Sequence, residues 1–287
     1  MEETNKIYKR NFLFILLIGI VGFCFGLLDW DGNLVDLVYI KYDNKFLISI
    51  ISANIGTARL IASLICIKIN DSQKPNLIFK TCMLLCSIVA IISAILFDSE
   101  LITLFVIVYL LEVVLLEVFS GYHYAYVYNS LPEQMAMNAH SKRISVFKTI
   151  QALGVAVAGF ICAKFINNAF LIISILATAV FFICIIFTTQ VRNFPKVSTN
   201  NKSNLIKKLN ILNYSKYFRK WFVIRFIGRF ALGSLIVLLS LKVADSNLNL
   251  NTLKISKSLL WILSGISFFL SNYFIKKRII VQGDILL

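Results

Sequence analysis

Stretches of about 20 apolar residues recur along this 287-residue chain. Nothing constrains its fold more, because ~20 residues rising ~1.5 Å each span the ~30 Å hydrocarbon core of a bilayer. Lipid offers a peptide group no hydrogen-bonding partner, so a spanning segment must be a helix or part of a closed barrel. No short alternating pattern of the barrel kind recurs. The predicted fold is therefore an all-α polytopic membrane protein with eight helices. They fall at roughly 12–38, 46–69, 77–97, 101–128, 144–166, 169–189, 219–241 and 256–275. The first run is too long for a removable signal peptide and has no small-residue cleavage site, so it counts as a helix.

Charge then orients the helices. The net charge of +15 would suit nucleic acid if the cations shared one soluble face, but they sort by loop instead. Twenty of the 29 Lys and Arg residues fall on one side when the loops are alternated, and six on the other. The positive-inside rule then places both termini in the cytoplasm of a multi-pass plasma-membrane protein. Pro75, Pro132 and Pro195 all fall in loops on that inner side, where no intramembrane hydrogen bond is lost. The segment LPEQMAMNAHSKRIS, residues 131–145, reads as one such loop, with Ser141 as N-cap of the next helix, His140 solvated, and Lys142 and Arg143, counted with Lys148 among the inner-side cations, marking the inner face. Three regions result: a six-helix bundle (1–189), a basic linker lying on the anionic leaflet (190–218) and a two-helix remainder (219–287).

The third and sixth helices carry no charge in their central turns and read as scaffold facing lipid. Helices one, two, four, five and seven carry acidic, basic or amide groups, and ionisable ones must face protein or a wet cavity. Arg59, Glu112 and Arg229 come out at about 10–15, 15 and 12–15 Å from the inner surface. They are the leading candidates for a transport cavity, with a purely structural ion pair as the alternative. Arg225 lies one turn from Arg229, close enough to the surface to snorkel. Glu117 lies 140° round its helix from Glu112, so the two cannot share one partner. Glu112 shares a face with Tyr109, Phe119, His123 and Tyr126, which would allow a carboxylate–imidazole proton relay. Asp29, Asp31 and Asp36, around Trp30, read as a polar outer mouth.

Other chemistries find little support. The six cysteines, Cys24, Cys66, Cys82, Cys86, Cys162 and Cys184, all lie within apolar runs, which argues for packing and not for a disulfide framework. Cys82 and Cys86 have no histidine or carboxylate beside them, so no metal site is expected. Neither a phosphate-cradling glycine loop nor a nucleophile motif sits on a suitable element, and neither an enzyme nor a cofactor is expected.

One stretch carries a family likeness. YNSLPEQMAMNAHSKRISVFKTIQALGVAVAGFICAKF, residues 128–166, resembles the hairpin between helices four and five in the drug and macrolide efflux branch of the major facilitator superfamily. Gly154 and Gly159 match that motif's glycines, while Val155 stands where the antiporter motif has proline. Ala158 adds to the small-residue surface on which a neighbouring helix can pack. The loop IKINDSQKPNLIFK resembles the family's cytoplasmic gate through Asp71 and Lys74, with Ile67 and Ser72 replacing its glycine and arginine. The resemblance implies two six-helix halves with a site between them at mid-depth. The first two and last two predicted helices correspond at an offset near 207 residues, so the second half is expected to be truncated to two helices of six. It also implies proton-coupled efflux of a small amphipathic or peptide-like molecule by alternating access. Arg59 and Arg229 would favour the ionised form of Glu112, and a dry cavity the neutral one. The alternative is a non-transporting scaffold, an immunity or accessory factor, or a remnant that oligomerises or joins a partner supplying the missing half.

Overall fold

The computed structural model describes residues 2–28, 37–38, 41–42, 45–69, 74–99, 101–165 and 167–192, and all regular structure among them is helical. The elements are α1 (Glu2–Ile18), a 3-10 turn (Gly19–Val21), α2 (Gly22–Leu27), α3 (Lys45–Ile69), α4 (Pro75–Asp98), α5 (Ile102–Ser130), α6 (Glu133–Lys164) and α7 (Ala169–Gln190). Among the described residues, five stretches are long and apolar enough to cross a membrane: Lys6–Leu27, Pro75–Asp98, Ile102–Tyr128, Lys142–Cys162 and Ala169–Gln190. The second predicted helix is present as α3, whose apolar stretch is the shorter Thr57–Cys66. The seventh and eighth predicted helices, the linker beyond residue 192 and the acidic outer mouth lie outside the described residues.

The segment 131–145 is not a loop. Only Leu131 and Pro132 separate α5 from α6, with Leu131 extended at φ −139° and ψ 153°, the conformation that a following proline favours. Pro132 then caps a helix that starts at Glu133, so Ser141 lies inside it. The spacing of Ala136, Ala139 and Arg143 explains the difference, since three and four residues apart they form one buried stripe. Small alanines among polar neighbours hide that stripe from a hydropathy reading. His140 is half-buried instead of solvated, and Lys148 lies six residues inside an apolar span that begins at Lys142.

Main packings join α2 to α6, α3 to α5, α4 to α5, α4 to α7, and α1–α2 to α7. Exchanging α2 with α5, α3 with α6 and α4 with α7 maps these larger packings onto one another, while the lesser α5–α6 and α6–α7 contacts have no counterpart among the described residues. The exchanged helices run in opposite directions, so the six-helix unit has the arrangement of an inverted three-helix repeat. Each of the two related crossings is closed by glycine. A Cβ on Gly22 or Gly26 of α2 would collide with the carbonyl oxygens of Phe147 or Gln151 on α6, and one on Gly154 with that of Phe23. At the α3–α5 crossing, a Cβ on Gly121 would come within 2.7 Å of Cys66 Sγ.

Side chains tie each end. At the lysine-rich end, fully buried Asn11 donates to Ser130 O at 3.1 Å and Arg192 O at 2.8 Å, and accepts from Arg192 N at 3.1 Å. Arg10 donates to Gln190 O and Asn76 to Val191 O. At the opposite end, Lys41 Nζ and Tyr42 OH both donate to Phe97 O, at 2.7 and 2.9 Å, satisfying a carbonyl in the last turn of α4. Asn11→Ala is expected to cost about 3 kcal/mol, because it leaves buried carbonyls and an amide without partners. Thermal unfolding in detergent measures this, and an unchanged midpoint would rule the clasp out as a stabilising element.

Candidate functional site

α5 lies between α3 and α4 and directs one carboxylate at each. Toward α3, Arg59 Nε donates to Glu117 Oε1 at 2.8 Å, and the two side chains remain 40% and 24% exposed. Ser63, one turn along α3, donates to Arg59 O at 2.7 Å. Toward α4, Glu112 is fully buried with neither carboxyl oxygen hydrogen-bonded. Ser93 of α4 is a polar side chain that faces it. The expected cluster of Arg59 with Glu112 is therefore not formed: Arg59 takes Glu117 instead. The 140° between the two carboxylates decides this, since α5 presents them to different neighbours.

The third predicted helix, read as scaffold facing lipid, supplies Glu112 with its surroundings. Cys82, Cys86, Ala90 and Ala94 of α4 recur every four residues and are all buried. This small-residue stripe lets α5 approach closely, and it was a visible signal that the absence of charge obscured. The sixth helix, α7, fits the scaffold reading better, since only 33% of its apolar window is buried.

His123 is buried and ring-packed, with Phe79 at 5.1 Å, Phe119 at 5.7 Å and Phe147 at 6.3 Å. Its Nε2 has no hydrogen-bond partner, and eleven residues of helix set it ~16 Å from Glu112. Phe119 and Leu116, both buried, occupy the intervening turns. Among the described residues no hydrogen-bonded path joins the two, and the histidine belongs to an aromatic joint between α4, α5 and α6. Arg143, expected at the inner surface, is buried and donates from Nη1 to His123 O at 3.0 Å.

Of the gate residues, Asp71 lies outside the described residues, and Lys74 is exposed immediately before α4, its carbonyl accepting from Ile78 N at 3.2 Å. Arg225 and Arg229 also lie outside them. Gly154, Ala158 and Gly159 are buried on α6. Their partners in the crossing, Gly22 and Gly26, were legible as a glycine pair four apart in GFCFG. The six cysteines form no disulfide, and all but Cys66 are buried. No group of three or more His, Cys, Asp or Glu that could hold a metal occurs among the described residues.

His140 gives the lysine-rich end a pH response. Burial, with the Arg143 charge second, pushes its imidazole down to about 4. The unfolded histidine titrates near ~6.5, so the folded chain holds fewer protons between these values. Stability is complete above about pH 6.5 and declines as pH falls toward 4. His140→Gln should flatten that acid-side decline in melting temperature, and an unaltered profile would assign it to other groups.

Comparisons with family models, with curated proteins and with solved structures return no match.

Proposed function

We propose that the chain is a secondary transporter of the major facilitator type, coupling export of a small amphipathic molecule to proton movement by alternating access. The observation that carries this reading is the inverted three-helix repeat, because such repeats give the two ends of a bundle equivalent packings and so two exchangeable openings. An ion pair that stays partly exposed at mid-depth supports it. In lipid a charged side chain costs about 2.5–3.5 kcal/mol even on lenient scales, so Arg59 and Glu117 belong beside a wet path or a polar partner. Glu112, sealed between α4 and α5, would be the coupling carboxyl, apart from the path itself.

The test is flux in vesicles containing the purified protein and an internal pH dye, with charged and neutral amphipaths added outside. Proton movement dependent on the amphipath is expected, and Glu112→Gln should abolish it while leaving the protein in the membrane. Undiminished coupled flux in that variant would remove Glu112 from the mechanism. The enclosure of Glu112 favours a second reading, a membrane scaffold or accessory factor in which the carboxyl serves packing. Wild-type protein that moves neither amphipath nor protons would support that reading.

A further inference from the structure

We propose that the cations gathered around α1 at the lysine-rich end, Lys6, Lys9, Arg10, Lys142 and Arg192, form a binding site for the headgroup of an anionic phospholipid. Two contacts bring them together from three helices. Arg10 donates from Nη2 to Gln190 O, the last residue of α7, at 2.8 Å. The ammonium of Lys142 on α6 lies 5.7 Å from the centre of the Phe12 ring on α1. Arg192 is fixed beside Arg10, because Asn11 accepts from its backbone N–H at 3.1 Å and donates to its carbonyl at 2.8 Å. All five residues are exposed, and among the described residues no carboxylate is ion-paired with any of them. Arg10 alone has a structural duty, since a cation suits the carbonyls that end a helix. Arg192 held next to it places like charges side by side, which is unfavourable until an anion joins them. Glu2 and Glu3 precede Lys6 on α1, ~5 Å farther from the membrane, and Glu133 precedes Lys142 on α6 by ~13 Å.

The same contacts set the level of the site. Gln190 ends the apolar span of α7 and Lys142 begins that of α6, so their partners Arg10 and Phe12 mark the edge of the hydrocarbon on α1. Lys9 and Lys6 then lie ~1.5 and ~6 Å farther out than Arg10, in the layer that holds lipid phosphates. At ~100° per residue, Lys6, Lys9, Arg10 and Leu13 fall within one arc of about 100° on α1. Leu13, one turn further into the membrane than Lys9 and Arg10, is 55% exposed. This face therefore runs from cations to bare leucine, the order in which a lipid presents its headgroup and its acyl chains. A free phosphate would use only the cations, and the apolar continuation favours the lipid. Clusters of Lys and Arg just outside a membrane helix take anionic headgroups on these terms.

The site is independent of transport and is tested by binding alone. The full chain, stripped of lipid in an uncharged detergent, is titrated with phosphatidylglycerol or with phosphatidylcholine of the same acyl chains, and native mass spectrometry counts the lipid retained. Saturable retention of phosphatidylglycerol and little of phosphatidylcholine is expected. Lys9→Gln combined with Arg192→Gln removes two cations whose side chains make no ion pair among the described residues, and leaves the backbone bonds of Arg192 in place. At about fivefold per basic residue, that variant should bind phosphatidylglycerol about thirtyfold more weakly. Lys9→Arg combined with Arg192→Lys should retain binding. Lys164→Glu, at the opposite end of α6, lowers the net charge as much as the double Gln variant and should leave binding unchanged. Equal losses in these two charge-matched variants would reveal diffuse attraction and overturn the proposal, as would equal retention of the two lipids. If the double Gln variant does not fold, the wild-type preference between the lipids decides. Inorganic phosphate that displaces phosphatidylglycerol at millimolar concentration would make this a soluble-anion site and also overturn it.

Discussion

Valine in place of Gly26 is expected to destabilise the bundle more than any other single apolar substitution. An added Cβ at this position meets Gln151 O, with Val155 N and Gly154 Cα also within 3 Å, so the obstacle is backbone that cannot rotate aside. The α2–α6 crossing is closed from both sides, because a Cβ on Gly154 meets Phe23 O in turn. Relief requires the helix axes to separate, which opens the contact along its length. Overpacking in cores typically costs ~1–3 kcal/mol, and this substitution belongs at or above the upper end. Loss of monodisperse protein in detergent, or a large fall in melting temperature, is the expected result. Leu153→Val, on the exposed side of α6, should change little. A Gly26→Val protein melting like wild type would mean that the crossing is looser than described.

The second large effect is electrostatic. Arg59→Leu leaves Glu117 without its guanidinium at mid-depth, and Glu117→Leu takes this carboxylate from Arg59. Each single substitution is expected to cost about 2–3 kcal/mol, the order of placing one uncompensated charge in the bilayer. Arg59→Leu combined with Glu117→Leu removes both charges and should recover most of the loss, since replacing a paired set by apolar groups is often neutral. Unfolding of the four proteins in detergent, analysed as a double-mutant cycle, reads the coupling directly. Additive losses would show that the two charges act separately. If the pair lines a path, the double variant should fold and yet fail to transport, which separates its structural role from its functional one.

The sequence legibly contained the helices as such, because apolar runs of membrane length have few alternative folds. It also separated Glu112 from Glu117, since 100° per residue is enough to place them on different faces of α5. What escaped was information held between helices. Which carboxylate Arg59 would reach depends on where α3 lies relative to α5, and periodicity within one helix does not encode that. The start of α6 was missed because Ala136 and Ala139 contribute little hydropathy while still making a buried stripe. Lys148 was counted with the loop cations for the same reason, and its reach toward Gln151 is visible only in the structure. The small-residue series Cys82, Cys86, Ala90 and Ala94 was readable, yet the absence of charge on that helix directed attention elsewhere.

Access to the Arg59 face of α3 tests the central claim most directly. Ser63 is exposed and one turn from Arg59, so Ser63→Cys, in a chain whose native cysteines are replaced, places a thiol beside the pair. A charged, membrane-impermeant thiol reagent is applied to one side of sealed, oriented vesicles and then to the other. An alternating-access path predicts reaction from both sides, with the balance shifted by the transmembrane pH gradient. Reaction from neither side, in protein that labels fully once denatured, would place this face against lipid or sealed protein and contradict the transporter reading.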